Sequence, residues 1–567
     1  MRSTAARGCA ILPAMPRAGM ALFALAALCA GAAPGFAQTV NDPGLVVQPI
    51  VSGLLQPVGM AFIGPNDILV VQKFDGVVRR ITGGVLQPAP VLDVAVDNTA
   101  ERGLLGIAVD PDFAVTRHVY LLYSESSTGA DTTGVTPLGN RVYRYDWDGA
   151  SLVHPVLVLD LPVTPGDGHN GGVITFGPDG FLYGVIGDVA RSGKLQNIVS
   201  GPDPDDTSVI WRIDPVTGQG AAGAPFFTPA DPLARMNRYV AYGVRNSFGI
   251  AFDPATGSLW DTENGPASYD EVNRVPFGFN SGWKVLMGPA SRDPEGTSDL
   301  WVAPGSTYRD PEFSWNVPVA PTALVFPASP LLGCALRGQL LVGDNNCGQL
   351  YRFTLNAARD ALTFTSAPLQ DRVADNLVDR CTDEAGEILF GGGFSQVTDL
   401  EMGPDGWLYV VSLSPTGTVR RIGPRAGAFP DADGDGVNDA CDCDPLDPGA
   451  YAAPGAIARM RLQGTAPFPI FWDSVAGVTG PATATTIVSG RATNLRRDGG
   501  YAAACDLAAG ASGTSFVDPR ADPPPGEAYY YLVRAQNGCG AGTFGDGTPV
   551  PDPRDALDSG TRPPCGG

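Results

Sequence analysis

The chain has 567 residues with 37 Lys and Arg against 59 Asp and Glu, a formal net charge of -22. Lysine occurs only at Lys73, Lys194 and Lys284. This charge excludes a nucleic-acid-binding protein or one that docks on an anionic membrane face, and the length is ample for a large core plus smaller domains.

Residues 1–37 carry early arginines, the apolar run Ala21-Leu-Phe-Ala-Leu-Ala-Ala-Leu28 and a small-residue end at Gly35-Phe-Ala37. This pattern predicts a secretory signal cut before Gln38, with no transmembrane anchor left after processing. The destination is the periplasm or the exterior.

From about residue 44 to residue 424 one pattern recurs six times: a Pro/Asp/Gly turn, a short apolar strand, and a returning strand that carries an arginine. The first strands of the pairs read Ile68-Leu-Val-Val-Gln72, Val119-Tyr-Leu-Leu-Tyr123, Phe181-Leu-Tyr-Gly-Val185, Ser258-Leu-Trp260, Gln339-Leu-Leu-Val342 and Trp407-Leu-Tyr-Val-Val411. Their partners read Val77-Val-Arg-Arg-Ile81, Arg141-Val-Tyr-Arg-Tyr145, Val209-Ile-Trp-Arg-Ile213, Glu271-Val-Asn-Arg-Val275, Gln349-Leu-Tyr-Arg-Phe353 and Thr418-Val-Arg-Arg-Ile422. A hairpin repeated about every 70 residues after a shorter first interval predicts an all-β, six-bladed propeller over 44–424, with long inserted loops.

Ten cysteines fall to eight once Cys9 and Cys29 leave with the signal, an even number for an oxidising compartment. Sequence does not fix the pairing; Cys334 with Cys347 is expected as a hairpin brace. Cys441-Asp-Cys443 is too tight for the usual structural zinc spacing.

The segment Asp431-Ala-Asp-Gly-Asp-Gly-Val-Asn-Asp439, within an acidic linker over 430–455, places carboxylates at alternating positions with glycines for a sharp turn. Asp431, Asp433, Asp435, the Val437 carbonyl and Asp439 form a loop able to wrap one hard cation, calcium. It resembles the aspartate-rich repeats of the thrombospondin type 3 class. Residues 460–567, with Phe471-Trp472, Thr486-Ile-Val488, the turn Pro523-Pro-Pro-Gly526 and Tyr529-Tyr-Tyr-Leu-Val-Arg534, predict a small β-sandwich. That region resembles fibronectin type III-like modules of exported proteins, which implies a glycan or cell-surface partner or a spacer.

Among three histidines, His118 and His154 sit on or beside strands, whereas His169 lies between glycines in Gly166-Asp-Gly-His-Asn-Gly-Gly172. An accessible imidazole suits a proton-abstracting base near neutral pH. That segment, with Glu101-Arg-Gly-Leu-Leu-Gly-Ile-Ala108, Tyr242-Gly-Val-Arg-Asn246, Glu263-Asn-Gly-Pro266, Asp270-Glu-Val-Asn273 and Gly282-Trp283, resembles the glucose/sorbosone dehydrogenase family. Its best-understood members are six-bladed propellers that use pyrroloquinoline quinone (PQQ) and calcium.

The resemblance implies a quinoprotein that oxidises an aldose or related sugar or polyol by hydride transfer to PQQ, with His169 as base. It also implies Arg245 beside the quinone carbonyl oxygens, Asn246 seating the cofactor and Glu101 near the catalytic pocket. Gly265 and Pro266 would offer carbonyls to the active-site calcium, and Asp270 and Glu271 match residues associated with further structural calcium.

The family answers the three carboxylates of PQQ with a lysine and two arginines; matching places Asn346, Gln396 and Thr398 there. A charge-assisted contact contributes about 1.5–3 kcal/mol against about 1 for a neutral bond. Calcium, Arg352, Lys194 or Arg191 could restore the balance. Two other readings stand beside the quinoprotein: a non-catalytic, calcium-stabilised propeller that binds glycan or protein, and a metal-assisted lactonase or hydrolase built on Asp167, Asp188 and Glu263.

Overall fold

A computed structural model describes residues 38–566, apart from 229, 232, 233, 295, 414, 415, 458, 463–468, 546–551 and 560. Residues 1–37, expected to be a secretory signal, lie outside the described residues. Residues 38–567 form one compact unit.

The unit is almost entirely β-sheet. Six sheets follow one another along the chain, each opening on an inner strand: Pro57–Gly64, Leu104–Val109, Ile174–Phe176, Ser247–Phe252, Pro321–Val325 and Val397–Met402. Each inner strand packs beside the next, and the sixth packs beside the first. Met60 N donates to Asp399 Oδ2 at 2.7 Å and Thr398 Oγ1 to Pro57 O at 2.9 Å, joining the sixth inner strand to the first. The arrangement is propeller-like.

All twelve strands read from the hairpin pattern are present, from Asp67–Gln72 with Val77–Thr82 to Leu408–Ser412 with Gly417–Pro424. The second strand of a sheet is covered on both faces by its neighbours, so it reads as a continuous apolar run. In Leu182–Ile186 every residue is buried, and Leu69, Val70 and Val71 are 0% exposed. Each such side chain contributes about 1.5–3 kcal/mol relative to an exposed one. The sixth sheet is completed from the other end of the chain, where Leu45–Leu54 pairs antiparallel with Gly417–Pro424. Thr39–Val40 pairs with Leu389–Gly392 of the fifth sheet, so pairing begins five residues before the expected start at 44.

The expected Cys334–Cys347 brace does not form. Cys347 bonds Cys381, Cys334 bonds Cys441, Cys443 bonds Cys539 and Cys505 bonds Cys565. Asp344 occupies the turn that Cys347 closes: its carboxylate accepts from the Cys347 and Gly348 amides and braces the hairpin. The cysteines are therefore free to tie distant segments. Cys441 and Cys443, one residue apart, point one bridge at the fifth-sheet region and the other at the C-terminal region.

Beyond the acidic segment, a three-stranded sheet (Met460–Leu462, Pro469–Trp472, Ser515–Val517) packs on a four-stranded one centred on Ala484–Arg491 and Tyr529–Asn537. Ile470 and Trp472 of the first meet Ile487 and Val533 of the second in one core. Arg461 contacts Asp112, and Arg337 Nη2 donates to Val478 O. Asp112 and Arg337 both follow the ends of inner strands, so this region rests on the side where those strands finish.

Candidate functional site

In each sheet the start of the inner strand and the end of the antiparallel second strand lie on the same side. Residues before the former and after the latter therefore converge, although they are scattered along the sequence. A cavity of about 400 Å³ opens there. Glu101, His169, Arg245, Asn246 and Ala320 enter from before inner strands, and Lys73, Asn264, Asn345 and Leu413 from after second strands. Val58, Ile107, Val173, Ile174 and Phe248 give its walls an apolar strip, and Asp399 and Glu401 lie along its sixth-sheet side.

His169 has φ +60°, in the left-handed region that non-glycine residues seldom adopt. Its amide donates to Glu101 Oε2 at 2.6 Å, which holds the turn. The same oxygen accepts from Asn246 Nδ2 at 3.0 Å, so one carboxylate joins residues of the second, third and fourth sheets. At Gly187 a Cβ would meet Arg245 O at 2.4 Å and His169 O at 2.7 Å; only glycine lets these chains close.

His169 Nδ1 lies 2.7 Å from Asp188 Oδ1. Asp188, 2% exposed, also accepts from Ala190 N at 2.8 Å and from Trp283 Nε1 at 2.7 Å. Burial works to raise the Asp188 pKa, but the bonds from His169, Ala190 and Trp283 outweigh it and hold the group below the usual carboxylate value. An ionised Asp188 can only accept, so the proton of a neutral His169 sits on Nδ1 and Nε2 is left as the base. The sequence pattern suggests Asp188 as one carboxylate of the lactonase or hydrolase reading, not as the partner of His169; its place at the strand end Ile186-Gly-Asp188 was the available signal.

Arg245 donates through Nη1 to Asn264 O at 2.7 Å and stacks over Trp283, 5.3 Å from the ring centre. Burial lowers its pKa against the pull of Asp188, Glu263 and Glu101. Its Nε and the Oδ1 of Asn246 are buried without a hydrogen-bond partner, two polar atoms left over for a ligand. Lys73 Nζ donates to Ala100 O at 2.7 Å, and burial lowers its pKa against Glu101 and Asp97.

Gly265 and Pro266 follow Asn264 at the rim. Asp270 accepts from Gly265 N at 2.8 Å and Ala320 N at 2.6 Å, and Glu271 from Gly288 N at 2.6 Å and Asn273 Nδ2 at 3.1 Å. Both carboxyl groups thus brace loops. Glu263 accepts from Arg245 N and Ser281 Oγ, each at 2.6 Å. Asp261, on the same strand, is 0% exposed with neither oxygen hydrogen-bonded.

Asn346 donates to Pro318 O at 3.3 Å, Gln396 to Asn345 at 3.5 Å, and Thr398 lines the cavity. None of the three arginine or lysine substitutes considered from sequence lines the cavity. Arg191 pairs with Asp205 and Lys194 with Asp203, and Arg352 lies beside Asn41 and Asp42 at the outer edge of the fifth sheet. Asp167, Asp188 and Glu263 do not form a metal-ligand cluster among the described residues: Asp188 serves His169, Glu263 serves Arg245, and Asp167 is exposed.

In the acidic segment, carboxylate oxygens of Asp431, Asp433 and Asp435 all lie within 4.8 Å of one another. Partial burial, then repulsion from neighbouring carboxylates, raises the pKa of Asp433 and Asp435. Val437 is buried against Tyr451 and Ala452, and Asp439 Oδ1 accepts from Ala432 N at 2.8 Å. Among the described residues no helix is long and apolar enough to cross a membrane.

Residues 54–421 match the family described as glucose/sorbosone dehydrogenase. An uncharacterized Synechocystis protein is 29% identical over 400 residues, 67% of this chain and 87% of that protein. Aldose sugar dehydrogenase YliI of Escherichia coli is 25% identical over 385 residues, covering 67% of this chain and 93% of its own. Quinoprotein glucose dehydrogenase B of Acinetobacter calcoaceticus is 27% identical over 263 residues, 42% of this chain and 52% of its own. A structure from Thermus thermophilus, provisionally assigned as an oxidoreductase (glucose dehydrogenase), superposes with a TM-score of 0.52 at 28% identity, over 67% of this chain and all of the other.

Proposed function

The chain belongs to the glucose/sorbosone dehydrogenase family, and from that premise we propose that it is a quinoprotein oxidoreductase acting on an aldose or a related sugar or polyol. The observation that carries this reading is the His169–Asp188 pair, which leaves Nε2 as a base at the cavity. The names of two relatives, an aldose sugar dehydrogenase and a quinoprotein glucose dehydrogenase, point to the same substrate class.

The cavity suits PQQ on three counts: an apolar strip for a flat ring system, the unpartnered Arg245 Nε and Asn246 Oδ1, and cations at its wall. When bound, PQQ supplies an electrophilic quinone carbon that accepts hydride. His169 Nε2 takes the proton of the substrate hydroxyl as hydride departs, and Asp188 keeps the ring oriented and stabilises the imidazolium that forms. Arg245 places a fixed positive charge where oxygen becomes anionic, and Asn246 seats the ring system. Glu101 keeps His169 and Asn246 in register. The Gly265 and Pro266 carbonyls would hold the active-site calcium, and Asp270 fixes their loop by accepting from Gly265 N.

On this reading the six sheets are the blades of a propeller over 44–424. Asp431, Asp433, Asp435, the Val437 carbonyl and Asp439 hold a structural calcium in the linker 430–455, and 460–567 is a fibronectin type III-like module. The module rests on the side away from the cavity mouth, which suits a glycan or surface partner that leaves substrate access open. A periplasmic or secreted location is the reading that the signal-like sequence of residues 1–37 and the four disulfides support.

The test is reconstitution of residues 38–567 with PQQ and calcium, followed by aldose-driven reduction of a dye. Turnover that His169→Ala abolishes while PQQ remains bound supports the reading. No turnover with any aldose or polyol by a PQQ-loaded protein sinks it.

A further inference from the structure

The three positions at which positive charge was expected hold neutral side chains, yet Lys73 and Arg245 line the cavity without an ion-pair partner, and a third such cation, the exposed Arg380, stands outside the lining beside Asn346. Lys73 donates to Ala100 O, Arg245 to Asn264 O, and Arg380 to Asn346 O at 3.4 Å. None of the three forms an ion pair among the described residues. Elsewhere in this acidic chain bidentate pairs are frequent, as in Arg359 with Asp253 or Arg238 with Asp206. A carbonyl partner orients a cation but leaves its charge uncompensated, so the mouth keeps positive charge for an incoming anion.

Arg380 reaches the rim by a specific route. It belongs to the loop between Val373–Ala374 and Leu389–Gly392, far along the chain from Asn346. The Cys347–Cys381 disulfide binds the residue after Asn346 to the residue after Arg380, which fixes the arginine beside the position where the family's lysine was expected. Asp379 and Asp383, its acidic neighbours, already accept from Cys381 N, Thr382 Oγ1 and Val378 N. Asn376, 1% exposed, donates to Arg380 O and accepts from Glu384 N, which stiffens the loop. Lys73 follows Gln72 in the first sheet, whose inner strand adjoins the Thr398 strand.

Resting on the quinoprotein reading, we infer that Lys73 and the disulfide-anchored Arg380 are the recognition residues for the carboxylates of the anionic cofactor, each one sheet or one loop away from the neutral Thr398 and Asn346. The negative groups that share the cavity offset this charge only in part. Glu101 is engaged by His169 N and Asn246 Nδ2, and burial raises the pKa of Asp399, to about 7, and of Glu401, which removes part of their charge near neutral pH.

The experiment is equilibrium binding of PQQ to residues 38–567 in calcium, followed by tryptophan quenching at two ionic strengths, with no turnover required. The variants are Lys73→Gln, Arg380→Gln and the pair Cys347→Ser/Cys381→Ser, each checked for an unchanged melting transition. A charge-assisted contact predicts about a tenfold or greater rise in Kd for each cation variant, with a shallower salt dependence. An uncharged ortho-quinone, phenanthroline-5,6-dione, should bind wild type and both cation variants alike. The disulfide variant should weaken PQQ binding non-additively with Arg380→Gln. Tight binding of PQQ by wild type and by both cation variants overturns the inference and leaves the quinoprotein reading standing. Failure of the wild type to bind PQQ overturns both.

Discussion

Asp188 ties His169 to Arg245: its carboxylate accepts from the His169 ring at 2.7 Å, and its amide donates at 3.0 Å to the carbonyl of Arg245, the residue that stands across the cavity. One residue therefore sets the tautomer of the base and the distance between base and cation. In Asp188→Asn an amide nitrogen can face Nδ1 and push the proton to Nε2, where it blocks the base. Turnover of the PQQ-loaded protein is expected to fall by about 10²–10⁴-fold with KM little changed, as measured by steady-state dye reduction. A variant within a factor of three of wild type would show that the pairing is only structural.

Glu101 distinguishes charge from shape. Its Oε2 holds His169 N and Asn246 Nδ2 together, and a glutamine can still offer one carbonyl oxygen to both. Glu101→Gln is expected to keep activity within about tenfold, whereas Glu101→Ala removes the acceptor and costs about 1.5–3 kcal/mol of stability. Denaturant melts and kcat on the two variants separate these outcomes.

Stability of the calcium-free protein should fall as pH rises. Burial raises Asp270 to about 6 and Glu263, Asp344 and Asp399 to about 7, and raises Asp261, Glu271 and Glu401 well above the usual carboxylate value. Between the ordinary carboxylate value near 4 and these folded values, the native state binds more protons than the unfolded state. The unfolding midpoint in chelator therefore declines from about pH 5 to pH 8. Asp261→Asn, which replaces a fully buried carboxyl without partners, should raise the midpoint at pH 8 and flatten the decline. A midpoint that climbs over this range, with the same slope in the variant, contradicts the assignment.

Calcium should bind the acidic segment and protect it. Millimolar calcium is expected to raise the melting temperature and to slow proteolysis between Pro430 and Asp439. The double variant Asp433→Asn/Asp435→Asn should lose both effects, because it removes two of the three converging carboxylates. Equal calcium protection in wild type and variant would place the stabilising ion elsewhere.

Loss of the Cys334–Cys441 bridge should be costly, since it closes a sequence separation of 107 residues. The chain-entropy model gives nearly 5 kcal/mol for such a loop, and about 2–5 kcal/mol is usual for native bridges. Cys334→Ser/Cys441→Ser is expected to shift the guanidinium midpoint accordingly; no shift would mean that the reduced chain keeps the same compactness.

Short-range chemistry wrote the readable part of this protein. Turn residues and apolar runs are local, so all twelve hairpin strands and the glycine-flanked His169 turn could be taken from the sequence. The inner strands were harder. Ile174–Phe176 is three residues long and Pro57–Gly64 begins with proline, so neither carries a strong strand signal, and only packing around the ring makes them strands. The site was decided by the same long-range closure. Glu101 and Asn246 are 145 residues apart, Asp188 lies 19 beyond His169, and Arg380 reaches Asn346 through a disulfide that no local rule selects. The sequence by itself determined which residue types were present and which segments extend. Tertiary structure alone decided which carboxylate orients the histidine, which cysteines pair and where the positive charge stands, because those depend on distances that exist only once all six sheets have met.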